Sequence, residues 1–214
     1  MNSNTGTDDP IIKKADPVLW NRRAFFAKGL GFAAGWVLLA HPGAAISRTQ
    51  GGASREELFR QLDAKVDGYF ARYGSCAMSS FAALNEQFAL KYDALVPALM
   101  PFTGGIASKG ETCGAVSGSM LALGIYFSSA APKESRPPVS SMKLGGLLVK
   151  GFEDEFGSTR CREVVRHQYG RYFNFSDPEE LKLYMELSKK ANHCADVVKK
   201  AVRLAAAVFL DQAS

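Results

Sequence analysis

The chain has 214 residues, of which 47% are hydrophobic and 22% are charged, and its formal net charge is +5. This composition is that of a globular protein with room for one sizeable core. It contains no block of Lys and Arg with interleaved aromatic residues, so we expect no nucleic-acid partner.

Residues 1–45 have the layout of an export signal. A polar leader ends at Arg22 and Arg23, a mildly apolar stretch follows over residues 29–40, and small residues lead to Ala45. The paired arginines resemble a twin-arginine signal, which predicts export to the periplasm and cleavage after Ala45. The alternative is an uncleaved N-terminal membrane anchor, although the stretch is shorter than the about 20 apolar residues that span a bilayer. We expect no membrane contact outside this segment.

The rest of the chain shows helical spacing and no period-two run long enough for a strand. Residues 46–75 are predicted to be a linker and a first helix, with Ser54 and Glu57 as a capping box and the helix over residues 54–72. Residues 76–212 are predicted to form one helical domain. Its helices are expected from Cys76, over residues 93–100, at Cys113, over residues 142–156, from Cys161 and from Asp177, with a restart or bend at Asn192. The predicted fold is an all-α, compact multi-helix bundle.

The central helix follows a cysteine set among small residues. Residues 110–118 surround Cys113 with glycine, alanine and serine, which would let backbone or an inorganic group come close. The next nine residues are apolar nearly all round, so we expect this helix at the centre of the core. The side chains predicted to contribute to that centre are Met120, Leu121, Leu123, Ile125 and Phe127.

The four cysteines, Cys76, Cys113, Cys161 and Cys194, are the candidate functional residues. The chain has no C-x-x-C, which excludes a thioredoxin-type dithiol, the usual zinc ribbon and the attachment motif of c-type haem. Three of the cysteines fall just after a helix-start signal, and Cys194 follows Asn192 as a candidate cap. A helix N-terminus favours the thiolate that binds metal. Four cysteines are also the ligand set of iron–sulfur clusters. We therefore predict that all four converge on one cluster, with Cys113 central.

Other uses of the four thiols stay open at this point. They could form two disulfides, act as small buried hydrophobes, bind zinc or make a redox-active disulfide. His167 and His193 are candidate ligands or hydrogen-bond donors, with an ordinary surface position as the alternative, and His41 in the leader is discounted. Glu111 is a candidate proton donor. Lys109, Arg160 and Arg162 flank two of the cysteines and are candidates to screen the charge of a cluster.

The ordered set of cysteines resembles a family of redox-active proteins named for one Cys, a Gly-Cys-Ala-x-x-Gly element and two later Cys. The matching pieces are Cys76-Ala77, residues 102–107, residues 110–118, residues 156–163 and Cys194 with Val197-Val198. One departure is that Gly114 follows the central Cys113 instead of preceding it. The family is similar to exported split-Soret cytochromes, but the haem motif is missing here.

The resemblance implies an exported redox or electron-transfer protein. Such a protein would use an iron–sulfur cluster and a redox partner protein, as an electron-transfer subunit of an oxidoreductase or alone, and as a monomer or a homo-oligomer. The alternative is a disulfide-stapled, non-catalytic helical module that binds another protein, or a thiol/disulfide redox protein.

Overall fold

The computed structural model describes residues 54–130 and 139–213. The predicted export signal over residues 1–45 lies outside the described residues, as do residues 131–138 of the predicted exposed loop. Within the described ranges the protein is all-α, as predicted. The β-type pairing found there is a single bridge between Thr112 and Arg160.

Seven α-helices and two 3-10 helices make up the described chain. The α-helices are α1 (Arg55–Tyr73), α2 (Cys76–Gln87), α3 (Gly114–Ala130), α4 (Val139–Phe156), α5 (Cys161–Tyr169), α6 (Pro178–Lys190) and α7 (His193–Ala213). The two 3-10 helices, Asp93–Leu95 and Pro97–Phe102, lie in the segment between α2 and α3.

Local capping signals place several of these helices as the sequence predicts. The Ser54 side chain accepts a hydrogen bond from the Glu57 N–H at the start of α1. The Asp177 side chain accepts from the Glu179 and Glu180 N–H groups at the start of α6. Asn192 separates α6 from α7, and its side-chain oxygen accepts from the Ala195 N–H. The short helical turn predicted around residues 93–100 is present as the two 3-10 helices. One expected bound is wrong, since α4 begins three residues earlier than predicted, at Val139.

The core lies where α2, α3 and α7 meet. α2 packs most extensively against α3, and α7 contacts α1, α2, α3, α4 and α5. The largest fully buried side chains come from several of these helices and from the segment after α5. They are Phe81, Phe152, Phe173, Phe209, Leu62, Leu84, Leu123, Leu148, Val66, Val164, Val165 and Val198.

The predicted central position of α3 is only partly correct. Leu123 is buried, but Met120, Leu121, Ile125 and Phe127 are only partly buried. The α3 residues that are fully buried include the small residues Ala115, Ala122 and Ser119, because close approach of a neighbouring helix leaves no room for larger side chains. Part of the large apolar face, with Met120, Leu121 and Ile125, instead lines an open groove of about 760 Å³ beside Val149 of α4.

Helix α6 lies at the periphery of the bundle. None of its residues is buried, and Leu183, Met185 and Leu187 are exposed, whereas Tyr184 is partly buried against the core. None of the described helices has the length and apolarity to cross a bilayer.

Candidate functional site

Each of the four cysteines lies at a helix N-terminus. Cys76 and Cys161 are the first residues of α2 and α5, and Cys194 is the second residue of α7. Cys113 immediately precedes α3, and its carbonyl oxygen accepts hydrogen bonds from the Val116 and Ser117 N–H groups. Four positive helix ends are therefore associated with the four sulfur atoms.

The structure brings all four cysteines together around one cavity of about 220 Å³. All four carry free thiols, with Cys113 and Cys161 buried and Cys76 and Cys194 half-buried. The remaining wall of the cavity is mostly apolar. It includes Val164 and Val165 of α5, Val197 of α7, Phe175, and Leu181, Tyr184 and Met185 of α6.

Paired backbone segments hold Cys113 next to Cys161. The Cys113 N–H donates to the Thr159 carbonyl at 2.8 Å, and the Cys161 N–H donates to the Glu111 carbonyl at 2.6 Å. These two bonds run across the Thr112–Arg160 bridge. Two cysteines that are far apart in sequence are thereby fixed on adjacent chain segments.

Cys76 and Cys113 are in direct contact. The Cys113 thiol hydrogen-bonds to the Cys76 sulfur and, with help from the Gly104 backbone N–H, lowers the pKa of Cys76 to about 7 although burial opposes the shift. The same contact, together with burial, raises the pKa of Cys113 well above its ordinary value. Gly114 makes the contact sterically possible, since a Cβ there would lie 2.5 Å from the Cys76 Sγ. Cys76 is thus the thiol that ionises first.

The other two thiols are held in the protonated form. Burial raises the pKa of Cys161 far above its ordinary value, and negative charge on Cys76 and Cys194 adds to the effect. Burial also raises the pKa of Cys194 to about 12, although a hydrogen bond from the Tyr184 hydroxyl partly opposes this. The expectation that each helix N-terminus lowers the pKa of its thiol is therefore wrong for three of the four cysteines, because burial and neighbouring thiols outweigh the helix field.

A strained loop forms another part of the cavity wall. Residues 104–108 all have positive φ, and Ile106 (56°), Ala107 (49°) and Ser108 (62°) have side chains that disfavour this conformation. The loop is closed by hydrogen bonds, including one from the Ala107 N–H to the Pro101 carbonyl at 2.7 Å. Its geometry directs the Gly104 N–H to the Cys76 sulfur. Backbone strain of this kind concentrates at functional sites.

The other predicted site residues lie outside the cavity wall. His167 is exposed on α5 with its ring against Phe156, and His193 packs its ring 4.8 Å from that of Tyr169. The Glu111 carboxylate accepts from Arg160 and Arg162, each at 3.1 Å, so these charges are paired with one another. The Lys109 carbonyl accepts from Arg162 at 2.8 Å.

The described residues contain no group of three His, Cys, Asp or Glu side chains that could hold a single metal ion. A structural zinc site needs four ligands on one ion at about 2.0–2.3 Å. The four cysteines share a cavity without that arrangement.

Sequence reasoning missed Tyr184. Its hydroxyl lies 3.0 Å from the Cys194 Sγ, and its ring packs among Tyr169, Phe173 and Phe175. The signal in the sequence is weak: an aromatic stretch at residues 171–175 and one tyrosine on an otherwise polar and aliphatic helix.

One comparison with known proteins gives a match, and two give none. A family model described as "Putative redox-active protein (C_GCAxxG_C_C)" matches residues 74–208, which is more than half of the chain and includes all four cysteines. No curated protein and no solved structure matches. The match agrees with a redox role for the cavity. The chain therefore belongs to the C_GCAxxG_C_C family of redox-active proteins.

Proposed function

We propose that this protein is an exported electron-transfer protein in which Cys76, Cys113, Cys161 and Cys194 hold an iron–sulfur cluster. The observation that carries the proposal is that four free thiols from four helices line one cavity. When bound, such a cluster accepts and releases single electrons, which a redox partner protein would supply or remove.

The donor set supports a cluster over a single ion. Four thiols with no carboxylate or imidazole in the wall are the ligands of [2Fe–2S] and [4Fe–4S] centres. In a cluster the thiols are shared among several irons, so no one ion needs three of them.

The charges around the cavity also favour a centre in which negatively charged thiolates bind iron cations. Three of the thiols are protonated when no metal is present, because the hydrogen bond with Cys76 and burial raise the pKa of Cys113 and burial raises the pKa of Cys161 and Cys194. As ligands of a cluster these thiols would give up their protons, and the four helix N-termini would then face the negative charge of the thiolates. Cluster binding should release protons and should weaken as the pH falls.

Iron and acid-labile sulfide analysis of anaerobically purified protein tests the proposal. We expect both elements at a stoichiometry of at least two per chain, together with brown colour and visible absorbance. Protein that is folded by circular dichroism but contains no iron and no labile sulfide would contradict it.

Thiol/disulfide chemistry is the second candidate, and the contact between Cys76 and Cys113 favours it. A thiol with a pKa near 7 beside a second thiol can attack a disulfide and then be released by its neighbour. In that reaction the protein dithiol is oxidised to one disulfide, and the substrate disulfide is reduced to two thiols.

Two measurements separate the candidates. A dithiol protein would be colourless, and Cys76→Ser and Cys113→Ser would abolish disulfide reduction while Cys161→Ser and Cys194→Ser would spare it. A cluster protein would lose its absorbance in all four variants.

We propose export by the twin-arginine route, on the basis of Arg22 and Arg23. Replacing both with Lys keeps the charge and should leave the precursor in the cytoplasm. The matched control is the double change Lys13→Arg and Lys14→Arg, which should leave export intact. Full delivery of the Arg22→Lys, Arg23→Lys protein to the periplasm would contradict the route.

A further inference from the structure

The side chain of Tyr184 reaches the cysteine cavity from helix α6. Its hydroxyl lies 3.0 Å from the Cys194 Sγ, and the residue lines the cavity together with Leu181 and Met185. The Tyr184 hydroxyl is the hydrogen-bond donor, and the Cys194 sulfur is the acceptor.

Aromatic neighbours fix the direction of this donor. The Tyr184 ring lies 4.9 Å from that of Phe175, 5.5 Å from that of Tyr169 and 5.7 Å from that of Phe173. Phe173 is fully buried, and the Tyr169 hydroxyl donates to the Ala191 carbonyl at 3.3 Å. Tyr184 is thus held on three sides, and its hydroxyl is preorganised toward Cys194.

We propose that Tyr184 is a positioning residue that sets the reduction potential of the redox centre through its hydrogen bond to the Cys194 sulfur. This inference rests on the proposed cluster. It adds a residue that the cysteine pattern of the family does not include.

The physical reason is the charge on the sulfur. Reduction adds one electron to the centre, and part of the added negative charge falls on the ligating sulfurs. A donor aimed at one of those sulfurs stabilises the reduced state more than the oxidised state, so it raises the reduction potential. The proton stays on the Tyr184 oxygen throughout, and the electron comes from a reduced carrier protein.

The test is a potentiometric titration of the anaerobically purified, full-length protein and its Tyr184→Phe variant. Dithionite supplies the electrons, and visible absorbance reports the oxidation state. Phe keeps the ring and removes the hydroxyl. We expect Tyr184→Phe to favour the oxidised state by on the order of tenfold, which for a one-electron couple is a fall of about 59 mV.

Tyr172→Phe is the matched control. It makes the same chemical change at a second tyrosine whose ring neighbours Phe175, at 6.1 Å. The Tyr172 hydroxyl, however, faces Gly110, where an added Cβ would lie 2.9 Å from it, and the residue does not line the cavity. We expect its potential to equal that of the wild type.

A second readout uses the wild type itself. Exchange into D₂O replaces the Tyr184 hydroxyl proton with deuterium. We expect a small shift in one Fe–S(Cys) stretching band in the resonance Raman spectrum, and we expect Tyr184→Phe to lose that shift.

Each outcome decides between the claims. Equal potentials in wild type and Tyr184→Phe, with cluster present in both, would overturn the role of Tyr184 alone. A folded Tyr184→Phe protein without cluster would mean that the hydrogen bond secures Cys194 and does not tune the centre, which also overturns this inference. A wild type without chromophore would overturn the proposed cluster and, with it, this role.

Discussion

The two sides of the cysteine cavity are held by different means. On one side, α2 and α3 approach so closely at Cys76 and Cys113 that glycine is required at residues 114 and 118. On the other side, α6 covers Cys194 without burying any residue of its own and is anchored by the ring of Tyr184. The first side is part of the core, whereas the second resembles the weakly held elements that open locally in native proteins.

This difference separates two tasks. We expect the tightly packed side to keep Cys76 and Cys113 adjacent whether or not α6 covers the cavity. We also expect that α6, which buries none of its residues, can move without disturbing α2 and α3. Access to the cavity should therefore not require the core to unfold.

The largest loss of stability should come from adding a side chain at the close contact between α2 and α3. In Gly118→Ala the new Cβ would lie 2.2 Å from the Ala77 carbonyl oxygen, so α2 and α3 must separate. We expect a loss of about 2–3 kcal/mol in the free energy of unfolding, measured by urea denaturation. Gly124→Ala is the control, since nothing lies within 4 Å of its Cβ, and we expect a gain of about 0.4–1 kcal/mol. Equal stability of the two variants would show that the helices are not in tight contact.

Removing the N-cap of α1, which contributes to the core, and that of α6, which does not, sharpens the comparison. Asp177→Ala and Ser54→Ala each remove a side-chain acceptor from a helix start and should cost about 1 kcal/mol. In α1, which buries Leu58, Leu62 and Val66, the loss should appear in global unfolding. In α6 we expect amide hydrogen exchange to become about fivefold faster while global unfolding is unchanged. A global loss in Asp177→Ala would contradict the weak attachment of α6.

The smallest effect concerns the strained loop on the tight side. Ala107 is exposed and has a φ of 49°, so Ala107→Gly should relieve strain and stabilise the protein by about 0.5–1 kcal/mol. The same change at Ala64, which is exposed within α1, should destabilise by about 1 kcal/mol. Thermal or urea denaturation of both variants shows whether each change raises or lowers the free energy of unfolding. Destabilisation by both would show that residue 107 is not strained.

Local signals in the sequence were enough to predict the helices. Ser54 and Asp177 act as caps through atoms within three residues, so the helix starts can be read from neighbours in the chain. The placement of each cysteine at a helix N-terminus follows from the same kind of signal.

The contacts between distant segments could not be predicted in this way. Tyr184 reaches Cys194, ten residues later, because the chain changes direction between the end of α6 and the start of α7, and no spacing rule gives that change of direction. The outward position of Met120, Leu121 and Ile125 follows from the close approach of α2, which a helix that is apolar on all sides does not reveal. The raised pKa of Cys161 depends on burial and on thiols from other helices.

The most direct test of a single shared centre is the set of four Cys→Ser variants, each compared with wild type by visible absorbance and urea denaturation. Because ligands on four helices bind the cluster only in the folded chain, we predict that every variant loses absorbance and that all four lose similar stability. Two separate disulfides would instead give two pairs of matching phenotypes and no chromophore, with a loss of about 2–5 kcal/mol for either partner and little more for both. That paired pattern would contradict the shared centre.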